Sequence, residues 1–146
     1  MQTYRLQQDV KVVCEEATSF PKGIKGAFDT LSHKINMEDR QVFGISNPYK
    51  GMIRYRAAAT ESFDGEGAEL GFPTFTIERG NYLGETLLNW QSNEMMIMSI
   101  FNRLVADKRL AGSAHCIEWY KSHTELLCMV LMKPDVDAGL AIDITL

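Results

Sequence analysis

Residues 114–132 read AHCIEWYKSHTELLCMVLM. Two segments rich in apolar, β-branched and aromatic residues, 114–120 and 125–132, flank the polar run Lys121-Ser122-His123-Thr124. That pattern predicts a β-hairpin. Alternate side chains of a strand point to opposite faces, so Cys116, Glu118 and Tyr120 share one face and Ile117 and Trp119 the other. A carboxylate therefore stands in the middle of an otherwise apolar strand.

Upstream of this hairpin, Ser92 or Asn93 is placed to cap a helix with Met95, Met98, Phe101, Asn102 and Val105 on one face. Ala111-Gly112 closes it. Before the helix, residues 74–77 and 82–88 flank Arg79-Gly80-Asn81, which suggests one long strand, bent or bulged at the glycine. The order is strand, helix, strand, strand.

The same order occurs earlier in the chain. Residues 10–17 (VKVVCEEA) predict a strand, and Pro21 suits a helix start. Ile24, Phe28, Leu31 and Ile35 then recur at helical spacing. Gly23 and Gly26 each weaken that helix by about 1 kcal/mol relative to alanine. Residues 41–46 and 52–61 predict a hairpin around the turn-forming run Asn47-Pro48-Tyr49-Lys50-Gly51. Between the halves, SFDGEGAELG (62–71) has three glycines and three acids and reads as a loop. The expected fold class is thus α+β. It is a duplicated β-α-β-β unit in one domain spanning 1–146, with halves at about 8–61 and 73–132. The expected sheet is antiparallel-rich, with two helices on one face and a ligand cleft between them. The tail, 133–146, contains the alternating run LAIDITL (140–146). It suits an added strand pairing with an edge of this chain or of a second copy, so a homodimer through an edge strand or the tail is a possible assembly.

Composition narrows the function classes. The chain has 146 residues, 45% hydrophobic and 23% charged, with a net charge of −4. Its densest basic clusters are only Arg54/Arg56 and Lys108/Arg109. A nucleic-acid partner usually demands a concentrated basic face, so none is expected. The longest apolar run, 126–132, is far short of a membrane span, and residues 1–10 lack the apolar stretch of a secretion signal. The three cysteines, Cys14, Cys116 and Cys128, follow no zinc spacing, and reduced buried thiols in the cytoplasm are expected. His33, His115 and His123 share no metal-ligand spacing, and no glycine-rich loop fits a phosphate, so neither metal nor cofactor is expected. Met95, Met96 and Met98 are expected in the core, where methionine can also line an adaptable pocket.

Four segments appear in a recognisable sequence: Phe43-Gly44-Ile45-Ser46, Ile53-Arg54-Tyr55, Phe75 through Tyr82 (FTIERGNY), and Ile117-Glu118-Trp119-Tyr120. Together, over residues 10–133, they resemble the GyrI-like small-molecule-binding family. That family includes effector-binding domains of multidrug-responsive and AraC-type transcription regulators. The resemblance implies a duplicated β-α-β-β fold with a ligand cleft between its halves. It puts Glu118 and Tyr120 on the glutamate and tyrosine of the family's Phe-Glu-Arg-Tyr-like segment, with Ile117 and Trp119 replacing Phe and Arg. Residues 84–87 (GETL) depart from the basic, His-containing strand of many members, so ligand choice does not carry over. The two halves use the residues that a helix-turn-helix would need, so regulation would run through a separate partner.

If the Glu118 face lines the cleft, burial raises the carboxyl pKa and a bound cation reverses that. Tyr55, Tyr82, Trp90 and Tyr120 are the aromatic candidates for cation–π contact, worth about 0.5–2 kcal/mol. The leading expectation is a stand-alone binder of an amphipathic small molecule, a cationic one where the carboxylate meets it. Alternatively Glu118 is a surface residue and the aromatics are core, leaving an interaction domain whose cleft is filled by its own side chains. Another alternative is a hydrolase of reactive small molecules. Glu118 would then orient a water and Tyr120 would donate to the leaving group, about 7 Å away along the strand.

Overall fold

The structure is a computed structural model and describes residues 1–112 and 114–146. Its elements are β1 (Gln2–Leu6), β2 (Val10–Glu16), α1 (Ile24–Lys34), β3 (Val42–Tyr49), β4 (Met52–Thr60), α2 (Glu66–Leu70), β5 (Thr74–Ile77), β6 (Gly80–Leu88), α3 (Met95–Val105), β7 (Cys116–Tyr120), β8 (Glu125–Leu131) and β9 (Ile142–Ile144). The fold class is α+β. Two compact units divide the chain, Val10–Ile77 on one side and Met1–Asp9 with Glu78–Leu146 on the other.

Within Val10–Ile77 the strand order is β5-β2-β4-β3, antiparallel throughout. Helix α1 packs on the face of Val13, Ala57 and Ala59 through Ala27 and Leu31, with Ile35 joining just past its end. Alanines at that face let the helix approach the sheet closely. Gly23 precedes the first helical residue, where a Cβ would stand 2.6 Å from the Ser19 carbonyl oxygen. Gly26 lies inside the helix with open space around it. The β3–β4 turn is tighter than the sequence suggests. Strand β3 runs on to Tyr49, leaving only Lys50 and Gly51 to turn, both at positive φ (50° and 76°). Such a two-residue turn matches the natural twist of a hairpin.

Residues 62–71, expected as a loop, contain the single helical turn α2. Carboxylates organise it. Glu61 accepts hydrogen bonds from the Gly67 N–H (2.8 Å) and the Gly65 N–H (3.3 Å). Glu66 accepts from the Ser62 N–H and takes a two-pronged ion pair from Arg40 at 2.6 and 2.9 Å. Both side chains of that pair are about 95% buried (6% and 5% exposed). Arg40 also donates to the carbonyls of Asn36 and Thr60, tying three connections together.

The other unit has the order β7-β8-β6-β1-β9. Its inner four strands repeat the pattern of the first: β6 plays the part of β2, β8 of β4, β7 of β3 and β1 of β5. The expected long bent strand is two strands instead, β5 pairing with β2 and β6 with β8. Gly80, at φ 144°, opens the second. Strand β1 is polar enough to escape notice in the sequence, yet Tyr4 pairs with Tyr82 on β6 and with Ile142 on β9. Gly84 is glycine for a steric reason: a Cβ would stand 2.9 Å from the Cys128 carbonyl oxygen and 3.0 Å from the Tyr4 ring. The tail strand β9 runs parallel to β1 of its own chain.

Helix α3 packs through Ile97, Ile100, Phe101 and Leu104 on Leu83, Leu87, Leu126, Cys128 and Val130. Of the face that the sequence suggests, Phe101 is buried, whereas Met95, Met98, Asn102 and Val105 are exposed. Met95, Met98 and Val105 are 93%, 54% and 53% exposed, and Met96 is 48% exposed, so these three methionines are not core. A helix with apolar residues on several sides offers more than one burial phase, and the sheet selects the isoleucine–phenylalanine–leucine stripe. Neither Ser92 nor Asn93 caps the helix among the described residues; the Asn93 amide turns back to the Asn89 carbonyl at 3.0 Å.

Two measurements check this local reading. Gly26→Ala is expected to stabilise the protein by about 0.5–1 kcal/mol, whereas Gly23→Ala destabilises it, because only the second adds an atom against backbone. Equal urea midpoints for the two variants would contradict the assignment. For the buried ion pair, Arg40→Met strands a buried carboxylate and should cost about 3–5 kcal/mol. Hydrogen bonding from Arg40, first of all, holds the Glu66 carboxyl below the usual carboxylate range. Its stabilisation is therefore complete above about pH 4.3 and disappears as pH falls through the lower folded value. An acid-unfolding profile in Arg40→Met that parallels the wild type would remove Glu66 from that transition.

Candidate functional site

The hairpin β7–β8 sets the register. Glu118 stands opposite Cys128, Tyr120 opposite Leu126 and Cys116 opposite Val130. Across β8, Cys128 stands opposite Glu85 and Leu126 opposite Leu87 on β6. Directly opposed residues share a face. Glu118, Cys128 and Glu85 therefore form a row across three strands, on the face that α3 covers.

Glu118 is 8% exposed. The Tyr120 hydroxyl donates to its Oε1 at 2.6 Å. A hydrogen bond from a hydroxyl to an ionised carboxylate is of a kind worth about 1.5–3 kcal/mol. The two groups form one hydrogen-bonded unit and do not flank a gap. Trp90, on a one-turn 3-10 helix (Trp90–Ser92), meets the Tyr120 ring edge-on, with centroids 4.9 Å apart at 66°. Its indole N–H donates to the Ser122 carbonyl at 3.1 Å, which fixes the ring against the β7–β8 turn. Three of the aromatic and acidic candidates, Glu118, Tyr120 and Trp90, are thus brought together.

At the other end of the row, Arg103 of α3 bonds Glu85 at 2.6 Å. Between the carboxylates, the Cys128 thiol is pushed well above its ordinary pKa, first by burial and then by the charges of Glu118 and Glu85. It is a neutral thiol at physiological pH. Neither Glu85, Arg103 nor Cys128 stood out as a site residue in the sequence. Strand alternation and the hairpin would have located Cys128. The pairing of β6 with β8, which brings in Glu85, joins segments about forty residues apart and leaves no local signal.

The remaining aromatic candidates lie elsewhere. Tyr82 alternates to the face of its sheet opposite Glu85, is 2% exposed, and donates to the Glu78 carbonyl at 2.5 Å. Its phenol is pushed far up, first by burial and then by the charges of Glu78 and Asp9. Tyr55, in the Val10–Ile77 unit, is 1% exposed and packs between Phe20 and Phe28 at centroid distances of 6.1 and 6.3 Å. An open hollow of about 200 Å³ lies on the Trp119 and Leu127 face of the β7–β8 hairpin, the reverse of the Glu118 face, and is also lined by Tyr4, Lys121 and residues 142–145.

No protein-family model matches the chain, and no curated protein sequence matches it. Solved structures do share its shape. An integron cassette protein, VCH_CASS2, from the mobile metagenome of Vibrio cholerae superposes with a TM-score of 0.57 at 12% identity, over 91% of this chain and 92% of that one. The protein SAV2435, solved bound to tetraphenylphosphonium, gives 0.53 at 14% identity over 88% and 92%. A candidate bacterial transcription regulation protein from Staphylococcus aureus MU50 gives 0.50 at 15% over 89% and 97%. At such identities the likeness is one of fold. The chain therefore has the α+β fold seen in a tetraphenylphosphonium-bound protein and in a candidate transcription regulation protein.

Proposed function

We propose that this chain is a small-molecule-binding protein of the GyrI-like kind whose ligand is an amphipathic cation held at Glu118. The observation that carries the reading is the buried Glu118 carboxylate, hydrogen-bonded by Tyr120 at 2.6 Å with Trp90 against the same tyrosine. A lipophilic cation gains there from a carboxylate in apolar surroundings, where charge attraction exceeds its value in water. It gains further from two ring faces, at about 0.5–2 kcal/mol in cation–π contact. The fold shared with a protein bound to tetraphenylphosphonium supports the same class of ligand. Tyr120 has its proton committed to Glu118, which favours binding over the hydrolytic alternative, in which that proton goes to a leaving group. Entry of a ligand displaces the Trp90 ring, because a one-turn element moves at lower cost than a paired strand.

Tetraphenylphosphonium tests the proposal directly. The chain's two tryptophans, Trp90 and Trp119, are both near the hairpin, so binding should change intrinsic fluorescence. Glu118→Gln keeps an acceptor for Tyr120 and removes the charge. It should weaken binding by about tenfold, or 1.4 kcal/mol, with the circular dichroism unchanged. Equal affinity in that variant and the wild type would exclude Glu118 as the cation's anchor. Tyr120→Phe should leave the charge in place and lose less affinity than Glu118→Gln; the reverse ranking would make the phenol, and not the carboxylate, the main ligand contact.

A further inference from the structure

The face of the Val10–Ile77 sheet opposite α1 holds a charge that its neighbours do not neutralise. Arg54 and Arg56 both point to that face from β4, with Cys14 and Glu16 beside them on β2. Glu16 stands directly opposite Arg56 in the register, yet its carboxylate goes to Arg54, at 2.8 Å from both Nε and a terminal nitrogen. Arg56 is only 8% exposed. Its guanidinium lies 4.7 Å from the Phe75 ring centroid, and its enclosed Nε has no hydrogen-bond partner. Among the described residues, no carboxylate lies within ion-pairing distance of it. The other enclosed side-chain atom without a partner there, Asn47 Oδ1, lies on the same face, opposite Arg54.

Among the described residues, Cys14 is the remaining titratable group whose charge would act on Arg56. Burial outweighs the pull of Arg56 and Arg54 and lifts its pKa to about 11, so it stays a neutral thiol. Two guanidinium charges against one carboxylate leave a net +1. A buried cation without a counter-charge is costly, because the protein interior solvates it less well than water does. Desolvation, and next the charge of Arg54, lower the Arg56 pKa from its ordinary value, as expected for an uncompensated cation.

We propose that Arg56, with Arg54 beside it, binds the carboxylate of a small monoanionic molecule. One negative charge balances the count, whereas a phosphate dianion overshoots it unless Glu16 is displaced. The planar guanidinium matches a carboxylate through paired hydrogen bonds. Phe75, half-buried at the edge strand β5, lies beside the guanidinium and offers an apolar neighbour to the acid's hydrocarbon portion. Glu118 plays no part in this site, which is independent of the cation site proposed above.

Sodium benzoate is the probe. In proton–nitrogen correlation spectra of the whole chain, the Arg56 Nε–H resonance should shift with benzoate and stay still with sodium chloride at equal ionic strength. Arg56→Gln should weaken benzoate binding by about tenfold. Should that variant fail to fold, Arg56→Lys retains the charge and removes the fork, with the same loss expected. Glu118→Gln should leave the benzoate response intact, which separates this site from the cation site. An Arg56 resonance indifferent to benzoate in the wild type overturns the proposal, as does a response to inorganic phosphate with none to benzoate.

Discussion

A strand buried on both faces has no room for an unsatisfied polar group, and β8 is such a strand: Leu126, Leu127, Cys128, Met129 and Val130 are each at most 1% exposed. Every neighbour of β8 inherits that constraint. Apolar side chains meet it on β6 and β7, and α3 covers one of the two faces with a matching apolar stripe. Two carboxylates stand directly opposite Cys128 on that face, Glu85 on β6 and Glu118 on β7, and Glu118 is the buried one. A carboxylate in that setting must have hydrogen bonds, since desolvation without them costs more than a single residue's packing returns. Tyr120, two residues on and on the same face, supplies one. The same dry surroundings that make the bond necessary also make the carboxylate a strong partner for a cation.

The two units solve one packing problem with different side chains. In each, a first strand is flanked by the last strand of the repeat and by an outer antiparallel strand, and a helix covers one face. In the Val10–Ile77 unit the helix sits on alanines and valine, whereas α3 sits on leucines, Cys128 and Val130. Polar groups also fall differently. Arg40 and Glu66 neutralise each other through paired hydrogen bonds and close the 62–71 segment onto its unit. Arg56 lies on a face where the nearby carboxylate is already engaged by Arg54. Geometry separates the two arginines: Arg40 donates to four oxygens on three residues, while the Arg56 guanidinium lies beside the Phe75 ring.

Much of the local structure was legible because it is encoded at short range. Both hairpins and α1 announce themselves through period-2 and helical spacing over ten to twenty residues. The shared face of Glu118 and Tyr120 follows from alternation alone. What the sequence concealed is non-local. Strand β1 is short and polar, and only its partners β6 and β9 make it a strand. The rotation of α3 about its axis could not be read from MMIMSIFNRLV, which is apolar on more than one side.

By itself, the sequence determined the strand-helix-strand-strand order of β2-α1-β3-β4 and its duplication in β6-α3-β7-β8, and the placing of an acid and a tyrosine on one face of a strand, because those depend on neighbours in the chain. Only the tertiary structure decided that Tyr120 bonds Glu118, that Trp90 joins them while Tyr82 and Tyr55 lie elsewhere, and that Arg56 is buried beside an engaged carboxylate. The physical reason is that burial and hydrogen-bond partnership belong to pairs of groups brought together from distant parts of the chain. Alternation can say which way a side chain points, but only the packed neighbours decide what it meets there.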